Sequence, residues 1–228
     1  MPGLGPFFAV DVHPAGAVPA PPWLAFAELL SPGGGRLQAR AEAVRRALAG
    51  PGGLPADAVP LRVAVSVMHL GLAARLIAPA VAAAALGGLP SLGLDPAGLW
   101  WQDELGGPVP LSVPAARGSG GQPPRVIDDL VAPLTGAAGA LVPVSPRVLW
   151  GNVASAISSA AGQVAVQRPD LAGAAWAAAR ELAGHPRLSQ ERAAPGPAFR
   201  RSSCCLIYQL SPGPDRAICG DCVLGRRI

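Results

Sequence analysis

All four cysteines of this 228-residue chain fall in its last 25 residues, as Cys204-Cys205 and Cys219-Gly-Asp-Cys222. The reactive form of each is the thiolate, a nucleophile and a soft metal ligand. Two close pairs joined by a short loop can set four thiolates around one centre, as a metal ion or an iron–sulfur cluster requires. Zinc pairs usually have two or more residues between the cysteines, so that both sulfurs reach one ion without strain. Cys219-x-x-Cys222 meets that rule and Cys204-Cys205 does not. A two-iron cluster offers adjacent thiolates two metal atoms, so the spacing favours iron–sulfur, with zinc as the alternative. A simple redox Cys-x-x-Cys or a disulfide would leave the other pair unexplained.

A cluster held by four thiolates is negatively charged and becomes more so on reduction, so nearby cations favour its reduced form. Arg200, Arg201, Arg216, Arg226 and Arg227 lie within a few residues of the cysteines. They can tune such a centre or form an ordinary solvated basic tail. Every basic residue of the chain is arginine, which excludes lysine Schiff-base chemistry and a Walker-type phosphate loop. The net charge of +4 is spread along the sequence and gives no nucleic-acid footprint. No Ser/His/Asp or paired-carboxylate pattern supports hydrolysis, and no Rossmann-type glycine motif supplies a nucleotide cofactor.

The elements that must position the cysteines read as mostly helical. Half the residues are hydrophobic but only 4% are aromatic, so closely packed, alanine-rich helices form the expected core. Residues 1–20, rich in Gly and Pro, read as irregular, and Trp23 to Leu30 as a short helix. Residues 36–49 place Leu37, Ala41, Val44 and Leu48 at helical spacing. Residues 61–86 form the longest helical candidate, with Pro79 expected to kink or break it. Its apolar stretch Leu76 to Leu86 is shorter than the ~20 residues of a bilayer span, and Arg75 and His69 precede it, so a buried helix is expected.

Leu99-Trp-Trp-Gln reads as a strand and Val109 to Val113 as its hairpin partner, with Pro108, Pro110 and Pro114 confining the latter to an edge. Trp100 and Trp101 then point to opposite faces, one toward the core and one toward solvent. Residues 114–124 read as a loop, and 126–141 as a helix interrupted near Pro133 and Gly136. Ser145-Pro146 supplies an N-cap and first-turn proline for a helix to about Val166. Asp170 is the expected cap of the next helix, which ends at Gly184. Residues 185–198 are a polar connector. His69 reads as a buried structural histidine, and Asn152 as either a local cap or a bridge toward the cysteine segment.

Arg201-Ser-Ser-Cys-Cys-Leu-Ile-Tyr followed by Cys219-Gly-Asp-Cys-Val-Leu resembles the C-terminal signature of the FhuF-like ferric-siderophore reductases. His69-Leu-Gly-Leu-Ala-Ala-Arg75-Leu, the Leu99-Trp-Trp element and Arg147-Val-Leu-Trp-Gly-Asn-Val-Ala-Ser155 also resemble that family, in its order. The thirteen residues between Cys205 and Cys219 make a longer gap than the family's best-known member has. The resemblance implies a [2Fe–2S] cluster on Cys204, Cys205, Cys219 and Cys222. It also implies one-electron reduction of ferric iron in a siderophore, with Arg75, Arg147, Arg201 and Trp101 as substrate-side candidates. Electrons would come from a ferredoxin, flavodoxin or flavin reductase.

The fold expected is mainly α: a helical domain over 1–198 with a small β-hairpin, then a cysteine-rich cluster-binding segment over 199–228. Met1-Pro-Gly-Leu-Gly-Pro lacks the basic and apolar regions of an export signal, so a cytoplasmic location is expected. Contact with a membrane siderophore transporter at its inner face stays open. The competing function is a zinc-stapled interaction module without catalysis.

Overall fold

Residues 61–85 are apolar at almost every position, and such a helix must be covered on most sides to be stable in water. The computed structural model, which describes residues 3–31, 35–50, 55–87, 96–115, 125–191, 193–210 and 218–225, places it at the centre. This helix, α3 (Leu61–Ala85), packs against α2 (Gly35–Ala49), α5 (Pro146–Gln167) and α6 (Ala172–Ala183). It is long and apolar enough to cross a membrane, yet 67% of its most apolar window is buried inside the protein. Alanines allow the close approach: Ala64, Ala73 and Ala82 of α3, Ala156, Ala160 and Ala161 of α5, and Ala175 and Ala179 of α6 are all buried. Pro79 does not break α3, which runs on to Ala85, so of the two expected outcomes the break does not occur. An interior proline forfeits one hydrogen bond at about 3 kcal/mol, which burial of its neighbours Leu76, Ile77 and Val81 offsets.

Helix α5 begins as the sequence dictates, with the Ser145 hydroxyl accepting the Arg147 N–H at 3.3 Å and Pro146 in the first turn. Two other helix starts differ from expectation. Asp170 lies in a 3₁₀ turn, Pro169–Leu171, and pairs with Arg168, so α6 starts without a side-chain cap. Ahead of α4 (Ala132–Leu141) runs a π-helical turn, Ile127–Val131, and neither Pro133 nor Gly136 interrupts the helix. The extra residue of that turn shifts the hydrogen-bond register just before Pro133, whose ring would otherwise meet the carbonyl four residues back.

The hairpin is present as β3 (Trp100–Trp101) against β4 (Leu111–Pro114), with Trp101 opposite Leu111. It belongs to a four-stranded sheet of order β1-β4-β3-β2, completed by β1 (Asp11–His13) and β2 (Leu24–Ala25). Strand β4 is therefore interior, not an edge. Its prolines are tolerated because Pro108 and Pro110 precede the ladder and Pro114 ends it. The segment taken as irregular thus supplies an edge strand, and the expected helix from Trp23 is half strand, with only Ala27–Leu30 helical as α1. Residues 116–124 of the expected loop lie outside the described residues, as do Arg216, Arg226 and Arg227.

Candidate metal centre

The cysteines sit on two short loop segments, 199–210 and 218–225, which are tied first to each other and then to the helices. The Arg201 N–H donates to the Asp221 carbonyl at 3.1 Å, and the Arg200 guanidinium donates to the Gly220 carbonyl. The Cys219-to-Cys222 turn closes on its own backbone, Cys222 N–H to Cys219 carbonyl at 3.1 Å. Ser203 Oγ donates to the Arg147 carbonyl at 2.7 Å, and Ser66 Oγ of α3 donates to the Cys205 carbonyl at 2.9 Å. Glu191 of the connector accepts the Ser202 N–H at 2.9 Å. Glycine suits the place where α5 meets this loop: a Cβ on Gly151 would press on Ser203 Oγ, which is held by the Arg147 carbonyl.

Cys205 and Cys222 are buried, whereas Cys204 and Cys219 are partly exposed. The sulfurs of Cys205 and Cys219 stand 3.5 Å apart. Two thiolates sharing a tetrahedral metal with bonds near 2.3 Å would be about 3.8 Å apart, so this cross-motif pair already has ligand spacing. A two-iron centre needs only two thiolates per metal.

Backbone N–H groups complete the sulfur environment. Leu206 N–H donates to Cys204 Sγ and Leu224 N–H to Cys222 Sγ, each at 3.3 Å. Leu206 has φ +72°, the left-handed region that non-glycine residues adopt at a cost of about 1–3 kcal/mol. That turn lets the Leu206 and Ile207 N–H groups point back at the sulfurs of Cys204 and Cys205 in succession. The contact between the two sulfurs pulls the Cys205 thiol down to about 6 and holds Cys219 well above the usual thiol range. Burial pushes the Cys204 thiol up.

Behind the cysteines lies a buried polar chain. Asn152, fully enclosed on α5, donates through Nδ2 to the Ser66 carbonyl at 2.9 Å and accepts from Arg201 Nη2 at 2.6 Å. It bridges to the cysteine segment and is not a local cap. His69 is structural: it is fully buried, with Nε2 3.0 Å from Thr135 Oγ1 and Nδ1 3.5 Å from Asn152 Nδ2.

Burial, with the nearby Arg201 charge, pushes His69 from 6.5 to about 3. Its folded value is depressed, so the unfolded chain binds a proton that the folded one refuses, and stability falls as pH drops below 6.5. Roughly 2–3 kcal/mol should be lost from this residue between pH 7 and 4.5. Urea unfolding at the two pH values checks this, and His69→Gln is expected to flatten the dependence by close to one proton.

Three of the substrate-side candidates are buried. Arg75 is 2% exposed and donates to the Val109 carbonyl at 2.5 Å and the Ala9 carbonyl at 2.8 Å, tying the hairpin to the N-terminal segment. Trp101 is 0% exposed, and the Arg40 guanidinium lies 5.2 Å above its ring. Arg201, also expected on the substrate side, is 1% exposed and faces the protein interior. Arg147 is exposed and meets the cysteine loop through its carbonyl. Sequence reading missed Ser66 and Glu191; the signal for Ser66 was a lone hydroxyl in an apolar helix, and Glu191 had none.

What fold and site together define is a helical protein whose four-cysteine C-terminal segment is docked on α3 and α5. The kind of centre follows from comparison: residues 201–224 match the family model of the FhuF 2Fe-2S C-terminal domain. The chain thus carries a FhuF-type C-terminal domain, whose cofactor is a [2Fe–2S] cluster. No curated protein and no solved structure matches the chain.

Proposed function

We propose that the protein is a cytoplasmic oxidoreductase that reduces ferric iron held in a siderophore, with Cys204, Cys205, Cys219 and Cys222 as the cluster ligands. The observation that carries this reading is a FhuF-type cysteine centre placed at the protein surface, with two of its four cysteines partly exposed. When bound, the cluster supplies single electrons, and reduction of Fe(III) weakens its hold on hard oxygen donors so that Fe(II) leaves. An external ferredoxin, flavodoxin or flavin reductase restores the electron, and docking at a membrane siderophore transporter would bring the chelate within reach.

The chain's own part is to bring the chelate close. A recess of about 600 Å³ adjoins the Cys219-to-Cys222 turn, lined by Gln163 and Trp176 on the helices and Arg200, Gly220 and Asp221 on the cysteine segments. That volume suits a small-molecule ligand. Trp176 offers an apolar wall and Arg200 a cationic group, the one among the described lining residues, suited to an anionic chelate.

Stopped-flow mixing of anaerobically reduced protein with a ferric siderophore tests the reading, with the gallium complex as a non-reducible control and a ferrous chelator as the trap. Fast cluster oxidation with Fe(II) release by the ferric complex alone is expected. Equal, slow oxidation by ferric and gallium complexes would sink it. Trp176→Ala is expected to raise the chelate concentration needed for half-maximal rate about tenfold, the loss of roughly 1.4 kcal/mol of contact.

A further inference from the structure

The polar chain behind the cysteines has a direction. Thr135 Oγ1 donates its single proton to the Val131 carbonyl at 2.7 Å, so at 3.0 Å it can only accept from His69 Nε2. His69 is therefore the Nε2–H tautomer, with a bare Nδ1 toward Asn152 Nδ2. With Nδ2 also bound to the Ser66 carbonyl, the amide of Asn152 is fixed and its oxygen must face Arg201. Each member orients the next, and the last one held is a guanidinium.

Arg201 is 1% exposed, and its Nε and Nη1 have no hydrogen-bond partner. Its remaining nitrogen, Nη2, meets only neutral oxygens, those of Asn152 and of Val148 at 3.2 Å. Among the described residues no carboxylate forms an ion pair with it. A permanent charge enclosed without a directly paired counter-ion is costly by several kcal/mol; the Glu191 carboxylate, which flanks Gly151 together with Arg201 Nη2, makes no ion pair with it, so a further anion would stabilise it. Its place in the chain says which: Arg201 lies three residues before Cys204, and its N–H is bonded to Asp221, between Cys219 and Cys222.

We propose that Arg201 is the built-in counter-charge of the cysteine centre, a positioning residue that Asn152 holds in place and that sets the centre's reduction potential. The inference rests on the reading that the four cysteines hold the cluster. A buried cation beside a centre that gains negative charge on reduction stabilises the reduced form, and solvent does not screen it as it screens surface arginines.

The experiment is an EPR-monitored redox titration with iron and sulfide analysis on the full chain and its variants. At the potential where the wild type is half reduced, Arg201→Gln is expected to have a tenfold lower reduced-to-oxidised ratio, about 59 mV for one electron. Arg201→Lys, which keeps the charge, and Arg62→Gln, which removes an exposed one, should each change the ratio less than threefold. A loaded Arg201→Gln at the wild-type potential would overturn the inference. If that variant holds no iron, Asn152→Asp decides, since it sets a carboxylate against the guanidinium and should lower the ratio as Arg201→Gln would. An Asn152→Asp potential equal to that of Arg201→Lys overturns the inference. Wild-type protein without iron and sulfide would instead overturn the cluster reading itself.

Discussion

Replacing Cys205 by serine is expected to abolish the visible charge-transfer absorption of anaerobically purified protein and to remove most of its iron, with about two atoms per chain expected in the loaded wild type. The expectation rests on where this sulfur sits. Cys205 is 4% exposed, its carbonyl is fixed by Ser66 on α3, and its sulfur lies 3.5 Å from that of Cys219. A serine hydroxyl is shorter-reaching and harder to ionise than a thiol, and no water can enter to replace it. Cys222, 3% exposed, should respond the same way. Cys204 and Cys219 are partly open to solvent, where a serine or water oxygen can complete a ligand set. Their serine variants should keep a larger share of iron with an altered spectrum. Iron analysis and absorption spectra of the four variants check the order. Equal iron retention at all four positions would show that burial does not rank the ligands.

The contrast between buried and open cysteines was invisible in sequence, where only their types and spacing could be read. Helical spacing exposed α2, a long apolar run exposed α3, and start and stop signals exposed α5 and α6, because all of these patterns are local in the chain. Strand β1 escaped because it is three residues long and its partner β4 lies about a hundred positions away, at Asp11 opposite Ser112. The edge assignment of β4 failed for the same reason, since nothing local announces a parallel neighbour. Proline was overrated at Pro79 and Pro133, where tertiary burial and a π turn override its local cost.

Arginine was the least legible residue type. Arg75 and Arg201 read as candidates for ion pairs or for contacts to an anionic chelate, because charge normally stays in water or finds a counter-charge. In the structure each is enclosed, Arg75 by backbone carbonyls of two segments and Arg201 beside the cysteines. Asn152 stands between these outcomes: its bridging role was one of two readings, and the choice depended on Ser66 and Arg201 arriving at the same place from positions 86 residues before and 49 after.

That convergence makes Asn152→Ala the most damaging single change expected in the helical core. Asn152 is 0% exposed and serves three partners that have no other way to reach water: the Ser66 carbonyl, His69 Nδ1 and the Arg201 guanidinium. Alanine leaves a cavity, strips the carbonyl and imidazole of a donor, and leaves a buried charge with Val148 as its one remaining hydrogen-bond partner. Removing one partner of a buried charged network typically costs about 3–5 kcal/mol. At roughly 2–4 °C per kcal/mol for a chain of this size, the midpoint should fall by about 10 °C. Thermal unfolding of cluster-loaded and iron-chelated protein measures it. Because the network lies behind the cysteines, the loss should appear in both forms, and it should be larger in the loaded form if Arg201 also holds the cysteine loop in place. Asn152→Asp separates the contributions: it keeps an oxygen for Arg201 but loses the donor to Ser66 and His69, so its stability should fall between wild type and alanine. An alanine variant within 1 °C of wild type would mean that water, not Asn152, satisfies these groups, and that Arg201 is less enclosed than its 1% exposure indicates.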